Sequence, residues 1–121
     1  MSKIKQNISA EDRELYQRTD EVLHYLWDPI HVSGVPQARD EYHSYLPQIF
    51  SLVKRCAKSI EIANHLTAIE HDQMGLSTTE QTKKRNVEIG DILLDYKDWI
   101  KEKAEQSVPG YPPQGVGSPE P

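Results

Sequence analysis

The chain has 121 residues and a formal charge of −5 at pH 7, with 27% charged and 36% hydrophobic residues. This balance is typical of one small domain with a single core, and its acidity argues against nonspecific binding to nucleic acid. No apolar run approaches the roughly 18 residues that a membrane span needs, the amino terminus lacks an apolar signal core, and the single Cys56 fits a reducing compartment. We therefore expect a cytoplasmic protein without a nucleic-acid or membrane partner.

The first predicted helix begins at Ser9, after a flexible N-terminus over residues 1–8. Ser9 and Asp12 have the spacing of a variant capping box. The helix should end near Trp27, because the ring of Pro29 disfavours helical geometry at the residue before it. Its apolar stripe consists of Leu15, Thr19, Val22, Leu23 and Leu26.

An irregular, proline-rich connection follows, because Gly34 and two prolines exclude a long helix there. The second helix is predicted from about Tyr45, with Pro47 in its first turn, where a missing amide hydrogen costs little. We interpret Cys56 as a small buried hydrophobe on this helix, with a reactive thiol as the alternative. The predicted buried face consists of Leu46, Ile49, Phe50, Val53, Cys56 and Ala57.

Two further helices follow. Ser59 is the expected N-cap of the third, which should end at Gly75 in a left-handed conformation. Ser77 and Glu80 repeat the capping-box spacing and open the fourth helix, in which Gly90 costs about 1 kcal/mol relative to alanine unless close packing requires it. The inner faces consist of Ile62, Ala63, Leu66 and Ile69 in the third helix, and of Val87, Ile89, Ile92, Leu93, Tyr96, Trp99 and Ile100 in the fourth.

The predicted fold class is therefore all-α, a compact bundle of about four helices. The helical domain spans residues 9–106. Residues 107–121 are rich in Pro, Gly, Ser and Gln, and such a segment cannot bury enough apolar surface to order itself. We predict a disordered C-terminal tail over these residues.

Five histidines raise the question of a metal site. Glu61 and His65 are four residues apart and share a helix face, but a site would need further ligands from Asp72, His43 or His24. No His-x-x-x-His element supplies a preformed pair of ligands. We expect neither a metal nor another cofactor, and interpret the histidines as exposed.

Three carboxylates near the proline-rich connection are candidates for acid/base chemistry. Asp28, Asp40 and Glu41 could converge beside Trp27 with separated pKa values. The alternative is that Asp28 accepts backbone amide hydrogens in its turn, while the other two lie at a helix start. The chain has no phosphate loop, no Ser/His/Asp pattern and no Cys-x-x-Cys pair. We assign no catalytic residue and keep a small hydrolytic or metal-dependent enzyme, using these carboxylates and a histidine, as the alternative function.

Aromatic residues around the same connection point to protein binding. Trp27, Tyr42 and Tyr45 have the composition of an interface hot spot on a stiff loop. The alternative is that Trp27 and one tyrosine plug the end of the bundle. We name this region the 27–45 edge; its candidate partner-binding residues are Trp27, Asp28, Ile30, His31, Asp40, Glu41, Tyr42 and Tyr45.

Three sequence elements belong together: Trp-Asp-Pro-Ile-x-Val at residues 27–32, Pro-x-Ala-Arg-Asp-Glu-Tyr-x-x-Tyr-Leu-Pro-x-Ile at 36–49, and an Ile-Glu and Met-Gly-Leu element within 69–76. In these elements the chain resembles a family of small bacterial proteins of unknown function. The resemblance implies a helical cytosolic protein without established activity, and such proteins can lie near toxin or secretion genes. No catalytic residue carries over, and the chain departs from the pattern at His31, where a small residue is expected.

Together these features predict a single-domain binding protein that acts by stoichiometric contact through the 27–45 edge, as an immunity or accessory protein. Its acidity favours a basic protein partner such as a nuclease toxin domain, because opposite charges speed association. Basic clusters at residues 54–58 and 83–85 are interpreted as solvated helix faces. If the aromatics are exposed, Tyr42→Ala or Tyr45→Ala should abolish partner capture without unfolding the protein.

Overall fold

The structure is a computed structural model that describes residues 8–106, and within them it contains only helices, turns and connecting segments. The α-helices are α1 (Ala10–Val22), α2 (Leu46–Lys54), α3 (Ser59–Ala68) and α4 (Glu80–Gln106). A π-helical turn over Leu23–Trp27 follows α1, a second over Ile69–Gln73 follows α3, and two short 3-10 turns precede α2. The predicted all-α bundle of four helices is confirmed. The predicted disordered tail and the first seven residues lie outside the described residues.

Helix α1 begins where the sequence predicts. The Ser9 hydroxyl oxygen accepts a hydrogen bond from the backbone N–H of Asp12 at 3.0 Å. The buried residues of α1 and the following π turn are Leu15, Thr19, Val22, Leu23, His24 and Trp27. Leu26, predicted to continue the apolar stripe, is instead exposed, because the π turn is wider than an α-turn and directs Trp27 into the core.

Helix α2 begins at Leu46 with Pro47 in its first turn, as predicted. Its buried residues are Leu46, Ile49 and Val53, and Ala57 is buried in the turn that follows. The prediction for Cys56 is wrong. The helix has already ended at Lys54, and Cys56 adopts a left-handed φ of 61°, so its side chain leaves the apolar face and is exposed.

The N-cap of α3 lies one residue before the predicted Ser59. Lys58 occupies that position, and its backbone N–H donates to Oε1 of Glu61 at 3.3 Å. Ser59 is already helical, and its hydroxyl donates to the carboxylate of Asp91 in α4. The residue predicted as a cap therefore links two helices.

The segment before α4 confirms one prediction and corrects another. Gly75 has a left-handed φ of 68°, and it terminates the third helical segment as predicted. The cap of α4 is Thr79, whose hydroxyl oxygen accepts a hydrogen bond from the backbone N–H of Thr82 at 3.1 Å. Ser77 has the right spacing from Glu80 but lies two residues before this cap.

The long helix α4 packs against α3 and α1. At Gly90 the approach of α3 is so close that an added Cβ would lie 2.9 Å from the backbone oxygen of Ser59. Close packing therefore requires glycine there. Within residues 8–106, no helix combines the length and apolar character needed to span a membrane.

Candidate functional site

The carboxylate of Asp28 organises the connection after α1. Its Oδ1 accepts hydrogen bonds from the backbone N–H of Val32 at 2.7 Å and from the hydroxyl of Tyr42 at 2.7 Å. Its Oδ2 accepts one from the backbone N–H of Ser33 at 3.1 Å. The hydroxyl oxygen of Tyr42 in turn accepts the backbone N–H of Ile30 at 3.2 Å. The prediction that Asp28 accepts amide hydrogens in its turn is confirmed.

These contacts fix the charge states of the two side chains. Burial alone would raise the pKa of Asp28, but the hydrogen bonds from Tyr42, Val32 and Ser33 together lower it. Burial, followed by the hydrogen bond to Asp28, raises the pKa of Tyr42 well above its ordinary value. Near neutral pH the pair is an ionised acceptor and a neutral donor. A lowered pKa makes Asp28 a weaker general base, so this arrangement favours a structural clamp over acid/base catalysis.

The aromatic residues of the 27–45 edge face inward. Trp27 is 0% exposed and Tyr42 is 2% exposed, whereas Tyr45 is half-buried. The ring centroid of Trp27 lies 5.3 Å from that of Tyr42 and 6.4 Å from that of Tyr45. Both tyrosines thus face the same way, as their spacing indicates, but toward Trp27. Trp27 and Tyr42 close the end of the bundle.

Other residues of the edge reach the surface. Of its predicted members, Ile30, His31, Asp40 and Glu41 are exposed. Sequence analysis missed Tyr25, Leu26 and Val35, which are also exposed. Helical periodicity assigns Leu26 to the buried stripe and does not mark Tyr25, whereas the π turn places both side chains outside. We name the following set the exposed edge: Tyr25, Leu26, Ile30, His31, Val35, Asp40 and Glu41.

The loop that presents the exposed edge is conformationally strained. Asp28 and His31 adopt positive φ angles of 34° and 57°. Left-handed backbone costs a non-glycine residue about 1–2 kcal/mol, although Asp and His tolerate it better than most. Such strain persists only where surrounding contacts enforce it, and it occurs often at functional sites. Here the hydrogen bonds to Asp28 enforce it.

A cleft of about 640 Å³ opens beside the exposed edge. Residues from three parts of the chain surround it: the first π turn with the loop after it, the second π turn with the segment before α4, and α4 itself. The lining includes Tyr25, Leu26, Pro29, Glu70, Leu76 and Arg85. The cleft therefore combines apolar walls with charged groups.

A buried polar network lies around the Glu70 side chain in this cleft. Glu70 is 3% exposed, and its Oε2 accepts hydrogen bonds from Trp27 Nε1 at 2.6 Å and from Asn86 Nδ2 at 3.0 Å. The amide of Asn86 also donates to the hydroxyl oxygen of Thr67 at 3.0 Å. No group within residues 8–106 donates a hydrogen bond to Oε1 of Glu70, so this oxygen is free to accept one.

Sequence analysis missed both Glu70 and Asn86, although a signal existed. Glu70 follows Leu66 by four residues, and Asn86 precedes Ile89 by three, so both occupy positions on apolar stripes. A polar residue on a core-facing stripe indicates a buried polar contact. The pattern does not show that the two residues meet each other and Trp27.

Arg85 forms part of the wall of the same cleft. One of its guanidinium nitrogens, Nη2, donates to the backbone oxygen of Trp27 at 2.7 Å and also to that of Leu26. These carbonyls lie at the end of the first helical segment, where they lack partners within the helix. Arg85 is exposed, as the interpretation of residues 83–85 as a solvated face predicts, but it also binds the end of the first helical segment.

The histidines do not assemble a metal site among the residues that the structure describes. His43 contacts Asp20 with its Nε2 at 3.1 Å, and His65 contacts Gln48 at 2.8 Å. Glu61, which shares a helix face with His65, forms its ion pair with an arginine. Within residues 8–106, no group of three or more His, Cys, Asp or Glu side chains could hold a metal ion. His24 is buried, contrary to the expectation of exposed histidines.

The chain has no significant match among protein-family models, curated proteins or solved structures. The resemblance carried by residues 27–76 therefore stays a prediction. The exposed edge and the adjacent cleft are the features from which a function can be inferred.

Proposed function

We propose that the protein is a helical binding module that acts by stoichiometric contact with another protein, as a bacterial immunity or accessory protein. The observation that carries this proposal is the distribution of exposed large hydrophobic residues. Within residues 8–106 there are eight, and four of them, Tyr25, Leu26, Ile30 and Val35, fall in one stretch of eleven residues. Concentrated apolar side chains on a surface are typical of protein interaction sites.

The rigidity of the exposed edge supports the same proposal. The guanidinium of Arg39 donates two hydrogen bonds to Asp20, at 3.1 and 3.0 Å, and lies 5.4 Å from the ring centroid of Tyr25. The hydrogen bonds of Asp28 with Tyr42 and with the backbone of Val32 fix the loop between Tyr25 and Arg39. A surface that is already ordered loses less conformational entropy on binding, so more of the contact energy becomes affinity.

Charge favours a basic partner such as a nuclease toxin domain. The whole chain carries a formal charge of −5, and Asp40 and Glu41 are exposed on the edge itself. Opposite charges steer two proteins into an encounter and raise the association rate. The same acidity disfavours nucleic acid as the partner, and the single cysteine fits a cytoplasmic location.

Affinity capture from the native host, followed by mass spectrometry, tests the proposal. Tyr25→Ala and Ile30→Ala should each weaken capture of the identified partner by about 2 kcal/mol, which is roughly 30-fold in affinity. Ile60→Ala is the matched control, because Ile60 is an exposed apolar residue of α3 outside the edge. Since all three side chains are exposed, all three variants should melt close to the wild type.

Equal capture by the edge variants and the control would place the interface elsewhere and overturn the assignment. Tyr42→Ala, which the sequence alone suggested as a test, is unsuitable because Tyr42 is buried and hydrogen-bonded to Asp28. Truncating a buried aromatic residue costs about 3–5 kcal/mol of stability. That variant would lose capture by unfolding.

A further inference from the structure

We infer that the cleft beside the exposed edge receives a basic side chain of the protein partner and that Glu70 is the acceptor for its cationic head. The inference rests on the proposed function, since it places the side chain on a protein partner. It adds the chemistry of recognition: a charge-assisted hydrogen bond to a carboxylate that lines the cleft, next to the apolar surface of the edge.

The free oxygen of Glu70 is the first argument. Buried carboxylates are costly unless hydrogen bonds or opposite charges compensate for the lost water. Both donors in the network, from Trp27 and Asn86, are directed to Oε2, and Oε1 receives none from residues 8–106. An incoming ammonium or guanidinium would donate to Oε1 in place of water, and hydrogen bonds between charged groups are roughly twice as strong as neutral ones.

The shape of the cleft is the second argument. Its volume of about 640 Å³ admits a long side chain, and Leu26, Pro29 and Leu76 contribute apolar lining. Lysine and arginine carry a flexible aliphatic stem below the charged head. The stem would contact these apolar walls while the head reaches Glu70. An acidic or short polar side chain would leave one of the two surfaces without a partner.

The balance of charges is the third argument. Two carboxylates, Asp28 and Glu70, and one guanidinium, that of Arg85, line the cleft, and His31 adds a further titratable side chain. Nη2 of Arg85 already donates to the backbone oxygens of Leu26 and Trp27, which bear partial negative charge. The lining is therefore negative on balance, and it is complementary to a cation.

The indole of Trp27 provides a direct reporter. Its Nε1–H donates to the same carboxylate that would bind the cation, so the ¹H–¹⁵N resonance of this indole responds to a change at Glu70. The chain has two tryptophans, and the second, Trp99, is exposed on α4 beside Lys103. The Trp99 indole serves as the internal control, and Trp99→Phe assigns the two signals.

The experiment titrates the full chain with N-acetyl-arginine amide and, in parallel, with N-acetyl-citrulline amide, which has nearly the same shape but no charge. We expect a saturable shift of the Trp27 indole with the arginine probe, a response at least about tenfold weaker with citrulline, and little movement of Trp99. Glu70→Gln should lose the arginine response, and Glu88→Gln, a change at an exposed glutamate of α4, should retain it.

No shift, or equal shifts with arginine and citrulline, would overturn the inference. A shift of the Trp27 indole only with N-acetyl-aspartate amide would also overturn it and would assign the cleft to an anion bound by Arg85. If Glu70→Gln does not fold, the Trp27 indole shifts of the wild-type protein with the arginine and citrulline probes still test the inference. The proposed function is tested separately by Ile30→Ala, because Ile30 belongs to the exposed edge but does not line the cleft.

Discussion

Asp28 terminates the first helical segment in a backbone conformation that is unfavourable for an aspartate. Its φ is 34°, and its backbone N–H donates to the Leu23 oxygen at 3.0 Å. Left-handed backbone costs about 1–2 kcal/mol, whereas each hydrogen bond to a charged group contributes about 1.5–3 kcal/mol. Three such bonds reach the carboxylate, so the clamp outweighs the strain. The loop conformation therefore depends on the ionised form of this one side chain.

This dependence predicts a pH effect for Asp28→Asn. The pKa of Asp28 is lowered in the folded protein, so ionisation stabilises the fold above the ordinary aspartate pKa of about 4, and this contribution is lost as pH falls through the folded-state pKa. Urea unfolding should show a clear loss of stability for Asp28→Asn at about pH 7, and a smaller difference from the wild type at about pH 3.

Asp98→Asn is the matched control, because Asp98 is an exposed aspartate of α4. It should stay close to the wild type at both pH values, since surface substitutions typically change stability by less than about 0.5 kcal/mol. A loss of stability for Asp28→Asn that is the same at both pH values would show that the charge of Asp28 contributes nothing.

At the scale of elements, two π turns determine which side chains of the site face the core and which face the surface. They follow α1 and α3, over Leu23–Trp27 and Ile69–Gln73, and a Trp27–Glu70 hydrogen bond joins them. A π turn closes its hydrogen bonds over five residues instead of four, so the apolar period of the preceding helix no longer applies. This shift turns Trp27 inward and leaves Leu26 outside.

The sequence predicts a helix boundary where neighbouring residues determine it. It does not predict a boundary that depends on packing against distant parts of the chain. Ser9, Pro47 and Gly75 act through their own backbone and near neighbours, and the structure has them as predicted. Leu26 and Cys56 depend on how a helix ends against the rest of the core. For that reason helical periodicity predicts the wrong side for their side chains.

The contact between α3 and α4 gives a second prediction. Gly90→Ala should destabilise the protein, although alanine is the better helix former by about 1 kcal/mol. The added Cβ would lie 2.9 Å from the backbone oxygen of Ser59, and overpacking of this kind costs about 1–3 kcal/mol or more. Urea unfolding should give a lower midpoint. Glu88→Ala, at an exposed position two residues earlier, is the control and should leave the urea midpoint unchanged or raise it. A Gly90→Ala variant with the wild-type midpoint would contradict the close approach of the two helices.

At the scale of the whole molecule, side chains from three helical segments meet beside the cleft. Trp27, Glu70 and Asn86 form one network although they are far apart in the chain. Helical periodicity predicts the bundle, because each stripe can be read from its own segment. The site could be predicted only in part. The sequence indicates the proline-rich connection after the first helix, but Glu70 and Arg85 reach the cleft through contacts between segments that are distant in the chain.

The charge of the whole molecule predicts how binding depends on salt. If the partner is basic, the association rate should fall by about tenfold or more as ionic strength rises from low to physiological, while the dissociation rate changes little. Stopped-flow fluorescence with the captured partner measures both rates. Asp40→Asn with Glu41→Gln should reduce the association rate and its dependence on salt. A rate that does not respond to salt would exclude electrostatic steering and the basic partner with it.

The hydrogen bond between the two π turns also bears on the order of folding. An α-helix can form within its own segment, but the partners of this bond are 43 residues apart, so a long loop must close first. We therefore expect kinetic φ-values near zero for Trp27 and Glu70 and higher values where α3 packs on α4. Substitutions at Trp27 or Glu70 that destabilise the protein should then raise the unfolding rate more than they lower the folding rate. The surface proposed to meet the partner would be completed last during folding and would open first in the native protein.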